Sequence, residues 1–195
     1  SGDSVTTAAT LTFTLKGVGA DNKTLTPSAI VIKDGSSVDM TGNYDITYTP
    51  NTTSSITAKA LTVDHVTADG KDYDGNTTAA LNTGTAHFVG VVDGDTVTIG
   101  FGSATGTFST KSIGAGLTVT VAGISKTGDD AGNYTITQPT TTATIDQKHL
   151  TVTAPDITKE YDGYTTASGS CNVGTLASGD SVTTAATLTF TLKGV

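Results

Sequence analysis

The chain has 195 residues, with ten lysines, no arginine, seventeen aspartates and one glutamate, for a net charge of −8. A protein that reads nucleic acid needs a basic face and arginine for bidentate base contacts, so that class is excluded. No apolar run approaches the twenty or so residues a membrane-spanning helix needs, so no segment reads as membrane-inserted.

Threonine is the dominant residue, 44 of 195, followed by 23 glycines, and tryptophan is absent. Threonine and valine suit a pleated surface and glycine serves turns, so the composition favours short strands. Taken along the chain, period-two alternation appears at residues 10–15, where Leu11, Phe13 and Leu15 share one face and threonines the other. It recurs at 96–99, at 117–121 (Leu117, Val119 and Val121 together), at 133–137, at 143–145 and at 150–152. No stretch sustains the 3.6-residue spacing of an amphipathic helix. Alternating short strands bounded by Gly, Asp and Asn predict an all-β fold of antiparallel, Ig-like β-sandwich modules.

The first eighteen residues recur letter for letter at 178–195. A verbatim duplicate at both ends makes the chain a window slightly longer than one period of a tandem array. Inside that 177-residue period lies a weaker repeat at an offset of 88. Lys71-Asp72-Tyr73-Asp74-Gly75 answers to Lys159-Glu160-Tyr161-Asp162-Gly163, and both run on into Thr-Thr-Ala. Gly132-Asn133-Tyr134 echoes Gly42-Asn43-Tyr44, and Gly94-Asp95-Thr96-Val97 echoes Gly179-Asp180-Ser181-Val182. Three parts follow: residues 1–60 as the C-terminal part of a module, 61–149 as a complete module, and 150–195 as the N-terminal part of the next. The boundaries at 56–63 and 145–152 contain neither Gly nor Pro, so neighbouring modules are expected to join without slack. With strands of 8–10 residues, a module should span roughly 30–40 Å and a period about 70 Å of rod.

The ordered set Lys-x-Tyr-Asp-Gly-x-Thr-Thr-Ala, Gly-Asp-x-Val, Gly-Asn-Tyr and Ile-x-x-Lys-x-Leu-Thr-Val resembles the YDG-type repeats of large bacterial surface adhesins and secreted exoproteins, in the manner of filamentous haemagglutinin stalks. The resemblance implies a stalk unit of a secreted, cell-surface or matrix filament, with no enzymatic activity and no cofactor. Its partners would be neighbouring copies of itself, head to tail, and host or matrix glycans in the alternative reading as an adhesive module. Its localisation would be extracellular. The residues that carry the motif are Tyr73, Asp74, Gly75, Asn133 and Tyr134 in the complete module, and Tyr161, Asp162, Gly163, Asn43 and Tyr44 in the other. Physically, Asp-Gly is a turn dipeptide, Tyr73 and Tyr161 are expected to lay the ring on the core with the hydroxyl at a polar rim, and Gly132-Asn133-Tyr134 is expected to turn into a strand whose tyrosine packs nearby.

Catalytic chemistry finds no diagnostic spacing among the carboxylates, hydroxyls, thiol or imidazoles. His65, His87 and His149 lack metal-motif spacing. Asp93, Asp95, Asp129 and Asp130 place hard oxygen ligands on expected loops and are the candidate calcium ligands. Lys71 with Asn133 is the pair to consider for a spontaneous amide cross-link. The single cysteine, Cys171, leaves no internal disulfide to form.

Overall fold

A computed structural model describes residues 2–191. The described chain is built of strands, with two single-turn 3-10 segments at Thr41–Asn43 and Ala131–Asn133. No helix is long and apolar enough to cross a membrane. Each 3-10 turn falls on a Gly-Asn-Tyr motif and delivers its tyrosine in extended conformation, Tyr44 with ψ 135° and Tyr134 with ψ 156°. The chain divides into two compact units, one of residues 1–62, 88–100 and 126–137, the other of 63–87, 101–125 and 138–195. The stretch expected as one complete module, 61–149, thus contributes to both.

In the first unit, Thr10–Phe13, Gly19–Ser28 and Asn51–Ile56 form an antiparallel sheet with the Gly19–Ser28 strand central. Phe13 stands opposite Leu25 and Leu11 opposite Pro27. Ser4–Thr7 pairs with Val31–Lys33 through an irregular register at Val5 and Thr7. Lys59, Ala60 and Leu61 run parallel to Tyr134, Thr135 and Ile136, and the Thr137 amide continues the ladder onto the Leu61 carbonyl. Leu61 is fully buried here and Tyr134 nearly so.

The second unit holds a five-stranded sheet in the order Lys71–Asp72, Thr140–Asp146, Gly114–Ala122, Thr105–Phe108, Thr78–Ala79. The long strand has the alternation expected of it: Val119 and Val121 are buried, and Thr118 and Thr120 face out. Its register sets Phe108 opposite Val119, while Ile145 pairs in parallel with Lys71. Ala79, Phe108, Val119 and Ile145 make the core, and the Tyr73 ring packs against it. Burying apolar area drives this packing, at about 25 cal/mol per Å².

Core is distributed very unevenly along the sequence. Among the described residues, every buried apolar side chain lies between Leu61 and Ile145 except Ala177. Outside that stretch many larger apolar residues are exposed, Leu11 and Leu15 before it and Val152 and Val182 after it, while Leu25, Ile32 and Ile56 are half-buried. The strands at the expected boundaries are nearly continuous. Asn51–Ile56 is followed after two residues by Lys59–Asp64, whereas Thr140–Asp146 is followed after five by Val152–Thr153.

Candidate functional site: the Tyr-Asp-Gly motif as a joint

The Tyr-Asp-Gly motif is organised by a residue outside its name, Lys71. The Lys71 ammonium donates to Asp74 Oδ1 at 2.8 Å, Asn76 Oδ1 at 2.9 Å and the Asn76 carbonyl at 3.0 Å. It also lies 5.5 Å from the centroid of the buried Phe108 ring, within cation–π range. Asp74 Oδ1 accepts the Asn76 amide and Asn76 Oδ1 accepts the Thr78 amide, two successive Asx turns that lead into the next strand. The ammonium bond, and then the Asn76 amide, hold the Asp74 carboxyl below its ordinary pKa. Three donors and three acceptors close on one point, so the loop is fixed by charge-assisted bonds rather than by apolar burial.

The loop so fixed offers two surfaces to the chain beyond residue 150. The Tyr73 hydroxyl donates to Asp180 Oδ1 at 3.2 Å. Gly75, at φ +84°, lies so close under Ser178 that an added Cβ would meet the Ser178 carbonyl oxygen at 2.5 Å. Only glycine satisfies both that backbone angle and that approach. Ser178 and Asp180 belong to a tight turn in which the Asp180 amide donates to the Ala177 carbonyl, with Gly179 at φ +86°. Ala177, the buried apolar residue outside the core stretch, begins this turn. Desolvation, and then the Asp180 bond, raise the Tyr73 pKa, since both oppose a phenolate. Tyrosine, aspartate and glycine therefore have separate tasks: a hydroxyl for Asp180, an anchor for Lys71, and clearance for the Ser178 backbone.

The Gly-Asp-x-Val and Gly-Asn-Tyr motifs meet each other. Tyr134 donates to Asp95 Oδ2 at 2.6 Å and accepts the Val92 amide at 3.0 Å. In the earlier fragment, Tyr44 donates to Asp3 Oδ2 at 2.7 Å. Asp3 is the verbatim counterpart of Asp180. The same tyrosine–carboxylate latch is thus built twice, in stretches of different sequence. For Tyr134, desolvation first and the Asp95 bond second raise the phenol pKa; for Tyr44, the Asp3 bond leads. The Tyr134 bond, ahead of the Lys16 charge, lowers that of Asp95. Asn133 Oδ1 accepts the Val18 amide at 2.9 Å.

Of the four candidate calcium ligands, Asp95 is engaged by Tyr134, and Asp130 Oδ2 accepts the Thr96 amide at 2.9 Å. The loops holding Asp95 and Asp130 are thereby tied together, but the four aspartates do not gather into one ligand set. Among the described residues, the carboxylate and imidazoles that do gather are Asp64, His65 and His87, with ligand atoms within 4.8 Å of one another, all exposed. The two imidazoles stack at 5.1 Å. Their 22-residue separation hid this grouping from a reading by spacing. The Lys71 ammonium is held by Asp74 and Asn76, and Asn133 is held by the Val18 amide, so each of those two has another partner.

Residues 57–143 match the family model of the YDG domain. The match supports a YDG-type module over that stretch. The match takes in Tyr73, Asp74, Gly75, Asp95, Asn133 and Tyr134, the residues of the motifs just described. No curated protein and no solved structure matches the chain.

Proposed function

We propose that this chain is a structural repeat of a secreted or cell-surface bacterial fibre, an adhesin stalk or matrix filament, in which copies are assembled head to tail to set length, stiffness and spacing. One observation carries the reading. The YDG-type module spends its signature motif on its own continuation, with Tyr73 on Asp180 and Gly75 beneath Ser178. Tyr73 and Asp180 also line an open cavity with Gln147, Lys148 and His149, but there the hydroxyl is spent on the carboxylate. The motif groups hold the next segment of a sequence that repeats. The verbatim recurrence of residues 1–18 at 178–195 supports the same reading, because identical ends allow identical joints.

The test is the length of single molecules by electron microscopy for polypeptides of one and two periods. The reading expects contour length to grow by about 70 Å per added period. Growth only as the cube root of mass would refute it.

A second reading, an adhesive module for host or matrix carbohydrate, draws on Tyr161 and Tyr164, which are 85% and 73% exposed. Exposed tyrosine rings supply the aromatic faces on which sugar rings can stack. Against it stands Tyr73, the counterpart of Tyr161, whose hydroxyl is taken by protein. A glycan array separates the two: binding abolished by Tyr164→Ala supports carbohydrate, and an array with no binder supports the stalk.

A further inference from the structure

The second motif copy is built like the first but holds nothing. Lys159 donates to Asp162 Oδ1 at 2.7 Å and to the carbonyls of Tyr164 and Thr166 at 2.9 Å, and it stands 6.0 Å from the Phe190 ring centroid. Asp162 Oδ1 accepts the Tyr164 amide as Asp74 accepts that of Asn76. The Phe190 amide donates to the Thr165 carbonyl at 2.7 Å, as the Phe108 amide does to Thr77. Gly163 repeats the backbone angle of Gly75, φ +79° against +84°. Yet a Cβ on Gly163 would meet nothing within 4 Å, and Tyr161 is 85% exposed.

The complementary turn is also present: Val92, Asp93 and Gly94 are exposed, while the Asp95 side chain is 11% exposed beside Lys16. At residues 92–95 the Asp95 amide donates to the Val92 carbonyl at 3.0 Å with Gly94 at φ +84°, the same turn as 177–180. Ala177 is 8% exposed in the occupied turn, whereas Val92, in the same place, is 47% exposed. Asp95 offers Tyr134 its Oδ2, while its Oδ1, the oxygen that Tyr73 takes on Asp180, has only a 3.5 Å contact from the exposed Lys16. Lys16 itself is 84% exposed, so its ammonium is free to swing into water and uncover Asp95 Oδ1.

We infer that the Tyr161–Gly163 socket binds the Val92–Asp95 turn of a second copy of this chain. The Tyr161 hydroxyl donates to Asp95 Oδ1, and the Asp93 backbone lies over Gly163. The partner is the chain itself because it carries both halves of a joint that is already closed once, between Tyr73, Gly75 and the 177–180 turn. The inference deepens the stalk reading by naming the surfaces through which copies join, and it rests on that reading.

The test places a photoreactive benzoylphenylalanine at position 161 of the full chain, held at about millimolar concentration, and maps the cross-links by mass spectrometry. The same probe at position 73 is the control, expected to capture residues 177–180 within one chain. Dimers cross-linked from 161 to residues 92–95, and lost on Asp95→Lys, are the expected result. If the control captures its turn while the probe at 161 gives no dimer, or dimers joined elsewhere, the inference fails and the closed joint stands. If the control fails too, the joint itself is refuted, and the stalk reading with it.

Discussion

The two copies of the Lys-x-Tyr-Asp-Gly loop have the same internal bonds and opposite surroundings. Around Lys71 the loop rests on Phe108, 2% exposed, and the 177–180 turn lies upon it. Around Lys159 the loop rests on Phe190, 41% exposed, and is bare. What is common to both, the lysine on the aspartate and the Asx turn, is local and needs no neighbour. What differs is everything that requires a complete sheet on one side and a covering turn on the other. The loop is a preformed part, and the joint is what tertiary structure makes of it.

The comparison is broken most severely at the aromatic under the lysine. Phe108→Ala should cost about 3–5 kcal/mol, and Phe190→Ala about 1 kcal/mol or less, both read by urea denaturation. Equal losses would mean that the two sheets are equally complete. Next come the glycines. Gly75→Ala combines a left-handed backbone with overlap on Ser178 and should cost about 2–4 kcal/mol. Gly163→Ala meets only the backbone penalty, about 1 kcal/mol. A Gly75→Ala variant as stable as Gly163→Ala would show that the turn does not lie where it is described.

Smaller effects sharpen the same contrast through pH. The Tyr73 pKa is raised by desolvation and by Asp180, so the phenol is held more tightly in the folded chain than in the unfolded one. That contribution is complete below a pH of about 10 and is lost as pH rises through the higher folded value. Tyr73→Phe should therefore lower the melting temperature slightly at neutral pH and flatten the alkaline decline. An unchanged alkaline limb would argue against the Asp180 bond. Acid acts on both copies alike. Asp74 and Asp162 have lowered pKa values, first through the bonds from Lys71 and Lys159. Their contribution is present above a pH of about 4 and disappears as pH falls through the lowered folded values. Lys71→Met and Lys159→Met should each reduce the acid sensitivity of melting, and a change at only one would deny the two loops their common construction.

Much of the architecture was legible in the residues. Alternation at 117–121 assigned Val119 and Val121 to the core, where they lie, and the Gly-Asn-Tyr triplet at 132–134 marked a turn that feeds a strand, whereas the 3-10 turn at Thr41–Asn43 is followed by a strand only at Asn51–Ile56. Tyr73 and Tyr161 were both expected with the ring on the core and the hydroxyl at a polar rim; Tyr73 is so placed, but Tyr161 is 85% exposed because no complete sheet lies under it. Less was legible about partners. The conspicuous acidic loops drew attention to Asp93 and Asp129, while the repeated aspartates at 3, 95 and 180 include the ones that receive tyrosine hydroxyls. The repeat itself contained that signal, because an aspartate and a tyrosine recur together in each module. Lys71 was visible in the motif, but its role was not, since three acceptors converge on it only once the loop is closed. His65 and His87 come together across a strand pairing whose register no local pattern specifies.

The sequence alone determined the strand content, the turn positions and the spacing of the repeated motifs, because these depend on side chains a few residues apart or on literal repetition. Tertiary structure alone decided which Phe is buried, which Gly is covered, which carboxylate receives which tyrosine, and therefore which loop is a closed joint. Two loops with nearly the same letters differ in all of these, because burial and hydrogen-bond partnership depend on chain segments about a hundred residues away, such as Asp180 from Tyr73.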